Sequence, residues 1–198
     1  MRYVALGDSY TIGTSVEPEE RFPDQLVARL PDLELVANLG VNGFTTADLI
    51  REELPALHGL APDFVTLLIG VNDAVQGFPI ATYEANAVKI LEVLLARLAA
   101  DRIVIVAIPD YTATPAGADY GDPVERRKAI TRNNAAMARL AAERGIAFVD
   151  IVDLSERAAQ DRSLVAGDGL HPSREQYAGW VERIVPVVER LLRPAAPD

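Results

Sequence analysis

A serine near the start of the chain and a histidine near its end could together support nucleophilic catalysis. A serine hydroxyl is a poor nucleophile near neutral pH unless a base takes its proton, and a neutral imidazole can take that proton and later return it to a leaving group. A carboxylate on the second ring nitrogen fixes the tautomer that this base needs. Ser9 lies in the segment 7–10 (Gly-Asp-Ser-Tyr), and His171 follows Asp168 by three residues in the segment 168–172 (Asp-Gly-Leu-His-Pro). We therefore interpret Ser9 as a candidate nucleophile, His171 as its base and Asp168 as the orienting carboxylate.

The negative charge that forms during acyl transfer needs hydrogen-bond donors that already point at it. Three groups are candidates: the backbone N–H groups of Ser9 and Gly43, and the side-chain amide of Asn72. Gly40 is a rival to Gly43, because any glycine lets its backbone N–H approach a ligand closely. The second histidine of the chain, His58, precedes a glycine in a pattern typical of a helix end, so we interpret it as structural.

The candidate residues follow short apolar segments that predict strands, and longer amphipathic segments between them predict helices. The predicted strands are residues 2–7, 34–39, 64–69, 102–108 and 146–151, and the predicted helices are residues 22–30, 46–57, 83–100, 123–144 and 174–193. This alternation indicates a three-layer α/β/α fold with a flavodoxin-like, five-stranded parallel sheet, which we expect in the order 2-1-3-4-5. Ligands of such sheets bind at the carboxyl ends of the strands, so the candidate residues should meet there. The long loop before His171 must then fold back over the fourth strand.

Four segments of the chain resemble the motif blocks of the SGNH (GDSL-type) hydrolases, in the order that this family has. The segments are residues 7–10, 41–43, 70–73 and 168–172, so the resemblance spans nearly the whole chain. It implies the SGNH hydrolase fold, with Ser9 as nucleophile, Gly43 and Asn72 as oxyanion donors, and Asp168 and His171 completing the triad. Two residues depart from the usual pattern: tyrosine stands at position 10 where the family's popular name has leucine, and phenylalanine follows the oxyanion glycine at position 44.

Composition narrows the range of partners. The chain has 198 residues, a net charge of −10 and no cysteine. The acidic balance disfavours nucleic acid and anionic membranes as partners, and the lack of cysteine excludes disulfides and thiolate chemistry. No apolar segment approaches the roughly 18 residues of a membrane span, and the first apolar run is too short for a signal-peptide core. We expect one domain over residues 1–193, a frayed tail at 194–198, a cytoplasmic location, and neither a cofactor nor a metal. The oligomeric state is not predicted.

Several residues near the candidate site have a structural interpretation. We expect Asp8 and Asp73 to accept hydrogen bonds from loop N–H groups, and Asn42 to hold its loop. We interpret the basic run 126–128 (Arg-Arg-Lys) as a solvated helix face rather than an anion site. Four aromatic residues either line the substrate pocket or pack locally, with neither alternative favoured: Phe44, Phe78, Tyr111 and Tyr120.

These observations predict a serine esterase that hydrolyses small, short-chain carboxylic esters through an acyl-enzyme. The same residues would also serve an O-acyltransferase. A non-catalytic, flavodoxin-like module that binds a small ligand is the alternative outside enzymes. A phosphatase with Asp8 as nucleophile is a poorer interpretation, because Tyr10 occupies the position where such sites usually have a second carboxylate.

Overall fold

Five parallel strands form the centre of the computed structural model, which describes residues 1–193. Each strand pairs only with parallel neighbours, in the order β2-β1-β3-β4-β5. This confirms the predicted strand order. The strands are β1 (Arg2–Gly7), β2 (Glu34–Asn38), β3 (Phe64–Leu68), β4 (Ile103–Val106) and β5 (Ala147–Val149). The tail predicted to fray, residues 194–198, lies outside the described residues.

Helices connect the strands and cover the sheet. Helix α2 packs against α9, and α6 packs against both α3 and α7. A π-helical turn, Leu49–Glu53, joins α3 to α4. The helices are α1 (Ser9–Ile12), α2 (Phe22–Arg29), α3 (Thr46–Asp48), α4 (Leu54–Leu60), α5 (Val71–Val75), α6 (Ile80–Leu95), α7 (Pro123–Ala142), α8 (Val152–Glu156) and α9 (Arg174–Leu192).

Some predicted boundaries were wrong, and each error has a local cause. Helix α6 begins at Ile80, after Pro79 at its N-cap, and ends at Leu95 rather than at residue 100. Leu98 continues the apolar spacing beyond the helix because it packs on the core from the following turn. Strand β4 ends two residues early, since the amide of Asn134 bonds both the N–H and the C=O of Ile108 at 2.8 and 2.9 Å.

The core lies around the central strands. All five residues of β3 are buried, as expected of a strand with helices on both faces. On the side of α2 and α9, the aromatic rings of Phe22, Tyr177 and Trp180 lie in contact and are fully buried. Within residues 1–193, we find no helix that combines the length and the apolar character needed to cross a bilayer.

Candidate active site

The predicted nucleophile lies where β1 turns into a short helix. Ser9 is the first residue of α1, and Asp8 before it caps that helix by accepting a hydrogen bond from the Tyr10 N–H at 3.0 Å. Only 8% of Ser9 is exposed. The turn therefore holds the serine at the carboxyl edge of the sheet, at the end of a strand that neighbours the central strand β3.

The predicted base and carboxylate share one turn. Both backbone N–H groups of Leu170 and His171 donate to Oδ1 of Asp168, at 2.9 and 3.0 Å, while Nδ1 of His171 lies 2.6 Å from Oδ2. Burial opposes ionisation of Asp168, but the hydrogen bonds from His171, from Leu170 and from the Ser15 hydroxyl outweigh it and lower its pKa to about 2. Because the carboxylate is ionised, Nδ1 carries the proton and Nε2 is the nitrogen free to act as a base.

The long loop that carries this turn reaches the site by packing on its neighbours. The backbone N–H of Ala116, in the loop after β4, donates to the carbonyl of Gly169 at 2.9 Å. Within its own loop, the carbonyl of His171 accepts from the Ala166 N–H at 2.8 Å. The loop that follows β5 thus packs against the loop that follows β4, as we expected from the sequence.

Ser9 and His171 line the same cavity of about 220 Å³, together with Gly43 and Asn72. Among residues 1–193, no hydrogen bond joins the Ser9 hydroxyl to the His171 ring; such bonds commonly tighten only when substrate is bound. The other residues of the wall are mostly apolar or aromatic, and they are Tyr10, Asn42, Val71, Val75, Tyr111, Tyr120 and Leu170. Segments that follow all five strands therefore meet at one opening.

The side chain of Asn72 is fixed by one of its two amide hydrogens. Its Nδ2 donates to the backbone carbonyl of Phe44 at 2.9 Å. An amide nitrogen has two hydrogens, so one donor remains for a ligand in the cavity. The carbonyl of Phe44, rather than its ring, thus contacts the site.

The two rival glycines differ in what their backbone can still do. The N–H of Gly40 donates to the Asn38 side chain at 3.1 Å, and a Cβ added at position 40 would lie 2.6 Å from the backbone nitrogen of Ile12. Gly40 therefore allows close packing against the segment around Ser9. Gly43 has φ +82°, and a Cβ there would meet no atom within 4 Å. Its backbone borders the cavity, which favours Gly43 as the oxyanion donor.

Three carboxyl groups near the candidate site are buried, those of Asp8, Glu53 and Asp73. Burial raises the pKa of Asp8 to about 8 and that of Glu53 to about 9, and it also raises the pKa of Asp73. Oε2 of Glu53 accepts the N–H of Gly7 at 2.9 Å, while Asp73 accepts from the N–H and the hydroxyl of Thr46. Within residues 1–193, these and other acidic or histidine side chains form no group of three or more that could hold a metal ion.

Sequence reasoning missed Glu53, although a signal was present. Leu49, Glu53 and Leu57 are spaced four apart, which places a glutamate on the apolar face of a helix. The structure buries all three. The expected acceptor roles of Asp8 and Asp73 agree with their hydrogen bonds, and Asn42 accepts from the hydroxyl of Thr14 at 2.5 Å.

The interpretation of residues 126–128 as a solvated face was wrong for Arg126. Its Nη1 donates to the carbonyl of Ala74 at the end of α5, at 2.8 Å, and its Nε is buried. The first turns of α7 pack against α5, so one face of α7 cannot be solvated there. Arg127 and Lys128 are exposed and pair with carboxylates, those of Asp110 at 2.6 Å and Glu125 at 2.8 Å.

The four candidate aromatic residues differ in whether they line the cavity. Tyr111 and Tyr120 line the cavity with their rings edge to face, 6.1 Å apart, whereas Phe44 and Phe78 are not among its lining residues. His58 is exposed near the end of α4.

The profile of the GDSL-like lipase/acylhydrolase family matches residues 5–178, a span that contains every candidate site residue. The chain belongs to this family. Membership makes it an enzyme of the carboxylic ester hydrolase class and confirms the resemblance seen in the sequence. No curated protein matches the chain.

Solved structures share the fold of this GDSL-like hydrolase at low sequence identity. The lipase/acylhydrolase from Enterococcus faecalis is 20% identical with a TM-score of 0.78, covering 99% of each chain. A G-D-S-L family lipolytic protein from Veillonella parvula DSM 2008 is 20% identical with a TM-score of 0.77, covering 96% of this chain and 99% of the other. A variant of an acetyl xylan esterase from Geobacillus stearothermophilus is 19% identical with a TM-score of 0.73, covering 98% and 97%.

Tyr10 gives this GDSL-like hydrolase a link between its site and its core. The ring of Tyr10 lies 5.5 Å from that of His171 and 6.3 Å from that of Trp180. The Tyr177 hydroxyl donates to the Tyr10 carbonyl at 3.0 Å. The histidine therefore rests on a ring that is itself packed against α9.

Proposed function

We propose that the chain is a serine esterase that hydrolyses small, short-chain carboxylic esters through an acyl-enzyme. The observation that carries this proposal is the single cavity lined by Ser9, Gly43, Asn72 and His171, with Asp168 on the far nitrogen of the imidazole. A hydroxyl, a base, an orienting carboxylate and oxyanion donors are the parts that acyl transfer needs.

In the proposed mechanism, Oγ of Ser9 attacks the ester carbonyl carbon and its proton passes to Nε2 of His171. The oxyanion accepts hydrogen bonds from the N–H groups of Ser9 and Gly43 and from the Asn72 amide. His171 then gives its proton to the departing alkoxide, so that an alcohol leaves and the acyl group stays on Ser9. Water loses a proton to His171 and attacks this ester, and collapse of the second intermediate releases the acid and restores the serine. Asp168 stabilises the imidazolium throughout.

The size of the cavity supports short acyl groups. Its volume of about 220 Å³ lies below the roughly 300–1,000 Å³ typical of pockets for drug-sized ligands. Its apolar wall, formed by Val71, Val75 and Leu170, suits an uncharged alkyl group. One structural relative is named as an acetyl xylan esterase, and acetyl is a short acyl group, which agrees with this choice.

Turnover of p-nitrophenyl esters of increasing chain length tests the proposal. We expect acetate and butyrate to be hydrolysed much faster than dodecanoate. Ser9→Ala and His171→Ala should each lose activity by a factor of at least about 10³ while remaining folded. Ser163→Ala is the matched control, because Ser163 is an exposed serine that also donates to a carboxylate, at 2.6 Å from Asp161.

Labelling identifies the nucleophile independently of the substrate. A fluorophosphonate probe, located by mass spectrometry, should modify Ser9 in the wild type and no residue in Ser9→Ala. Full activity in Ser9→Ala or His171→Ala would contradict the proposal. Products formed with a competing alcohol distinguish hydrolysis from acyl transfer at the same serine.

A further inference from the structure

The turn that follows the nucleophile helix is bonded to two other loops of the site. In this 13–15 turn, the N–H groups of Gly13 and Thr14 both donate to the carbonyl of Ser9 at 3.1 Å. The hydroxyl of Thr14 donates to the Asn42 side chain at 2.5 Å, and the hydroxyl of Ser15 donates to Oδ2 of Asp168 at 2.7 Å. One short turn therefore joins the nucleophile, an oxyanion loop and the loop of the catalytic carboxylate.

Ser15 holds this position in an unfavourable backbone conformation. Its φ is +67°, and Ala61 is the only other non-glycine residue with positive φ in the part of the chain that the structure describes. Residues with a Cβ rarely adopt this region, and those that do are held by their surroundings. Ser15 is exposed, so burial does not impose the conformation. The hydrogen bond to Asp168 is the contact that it secures.

We propose that Ser15 is a positioning residue for Asp168, whose carboxylate it holds in register with the imidazole of His171. The proposal rests on the esterase function proposed above. Oδ2 of Asp168 is shared by two donors, the Ser15 hydroxyl and Nδ1 of His171 at 2.6 Å, while Oδ1 is occupied by backbone N–H groups. With both oxygens tethered, the carboxylate cannot rotate away from the ring.

By donating a hydrogen bond, the Ser15 hydroxyl also partly neutralises the negative charge on Oδ2 of Asp168, the oxygen that faces His171. Without this donor, Oδ2 would attract a protonated imidazole more strongly. The orientation of Asp168 would be less well fixed, because one of its tethers to the nucleophile loop would be lost. Removing the hydroxyl should therefore change two measurable quantities, the rate of the chemical step and the pH at which the base becomes protonated.

Two substitutions separate the hydroxyl from the backbone conformation. Ser15→Gly removes the donor and relieves the positive φ, whereas Ser15→Ala removes the donor and keeps the strain. We expect kcat for p-nitrophenyl acetate to fall about tenfold in both variants, the size of effect expected for one partly exposed hydrogen bond to a charged group. KM should stay unchanged, since Ser15 does not line the substrate cavity. The midpoint of the acid limb of kcat/KM should move upward by a few tenths of a pH unit.

Ser163→Ala should leave both kcat and the acid limb at wild-type values. Wild-type kcat and acid limb in Ser15→Gly and Ser15→Ala, in an enzyme that Ser9→Ala inactivates, would overturn the role of Ser15 alone. A loss confined to Ser15→Gly would also overturn it, because backbone freedom rather than the hydroxyl would then be the cause. If Ser9→Ala itself remained active, the proposed function would fail instead.

Discussion

Glu53 provides a sharp test of the electrostatics behind the site. Burial raises the pKa of its carboxyl from an ordinary 4.5 to about 9, so the folded protein holds this proton across the neutral range. The unfolded chain releases the proton at the ordinary value. Between these two values the native state binds one proton more than the unfolded state, and the free energy of unfolding therefore falls as the pH rises. Below about 4.5 and above about 9 this group contributes no further slope.

The perturbation is Glu53→Gln, which keeps an acceptor for the N–H of Gly7 but cannot ionise. Each such group contributes a slope of about 1.4 kcal/mol per pH unit. The free energy of unfolding of the variant, minus that of the wild type, should therefore rise by about 2.7 kcal/mol between pH 5.5 and 7.5. Burial also raises the pKa of Asp8 to about 8, so between pH 5.5 and 7.5 this group is largely protonated in both folded proteins and contributes nearly equally to their stabilities.

The assay is urea unfolding at constant ionic strength and at several pH values between 5.5 and 7.5. Trp180 is the one tryptophan of the chain and is fully buried, so its fluorescence reports loss of the core. The slope of the free energy of unfolding against urea concentration should be the same for both proteins, because unfolding exposes the same surface in each. Glu52→Gln is the matched control, because this neighbouring glutamate is exposed and pairs with Arg51 at 2.8 Å.

Parallel pH dependences of the free energy of unfolding for the wild type and Glu53→Gln would contradict this prediction. That result would mean that Glu53 is ionised in the folded protein, despite its burial. Glu52→Gln should follow the wild-type slope, and a similar change in that variant would point to a general charge effect instead.

The remaining predictions concern the chemistry at the cavity. Asn72→Ala should lower kcat by about 10²- to 10³-fold, because one oxyanion donor is lost. Steady-state kinetics measure this loss, and an unfolding curve shows that the variant remains folded. A loss of less than about threefold would contradict a role for Asn72 in the oxyanion site. Activity should decline on the acid side of the pH profile, because a protonated imidazole cannot accept the serine proton. A pH–rate profile that stayed level down to about pH 4 would contradict a histidine base.

Much of the fold could be predicted because the strands are buried and regular. The segment 64–68 is apolar except for Thr66 because helices cover both of its faces, and the sequence displays this pattern directly. Helices α1 and α5, with four and five residues, were not predicted. They are too short for apolar periodicity, and they form because the strand ends and the packing around them fix their backbone.

The candidate site likewise contains residues that the sequence predicts and residues that it does not. Ser9, Asp168 and His171 were predicted since their residue types limit the chemistry open to them. Ser15 could not be predicted, because its hydrogen bond spans 153 positions and depends on how two loops pack. Arg126 was misinterpreted for a related reason: its charge predicts solvent, but the packing of α7 on α5 decides its surroundings.

The two long loops over the cavity cannot be treated as independent parts. Besides the bond from Ala116 to Gly169, a Cβ at position 169 would lie 3.7 Å from the Cβ atoms of Ala116 and Pro115. The conformation of each loop therefore depends on packing against the other. A transfer of the segment containing Tyr111 and Tyr120 from this hydrolase into a relative therefore requires the loop that carries His171 to be moved with it. If only one of the two loops were transferred, it would not fit the other loop of the recipient, and His171 would shift from its position.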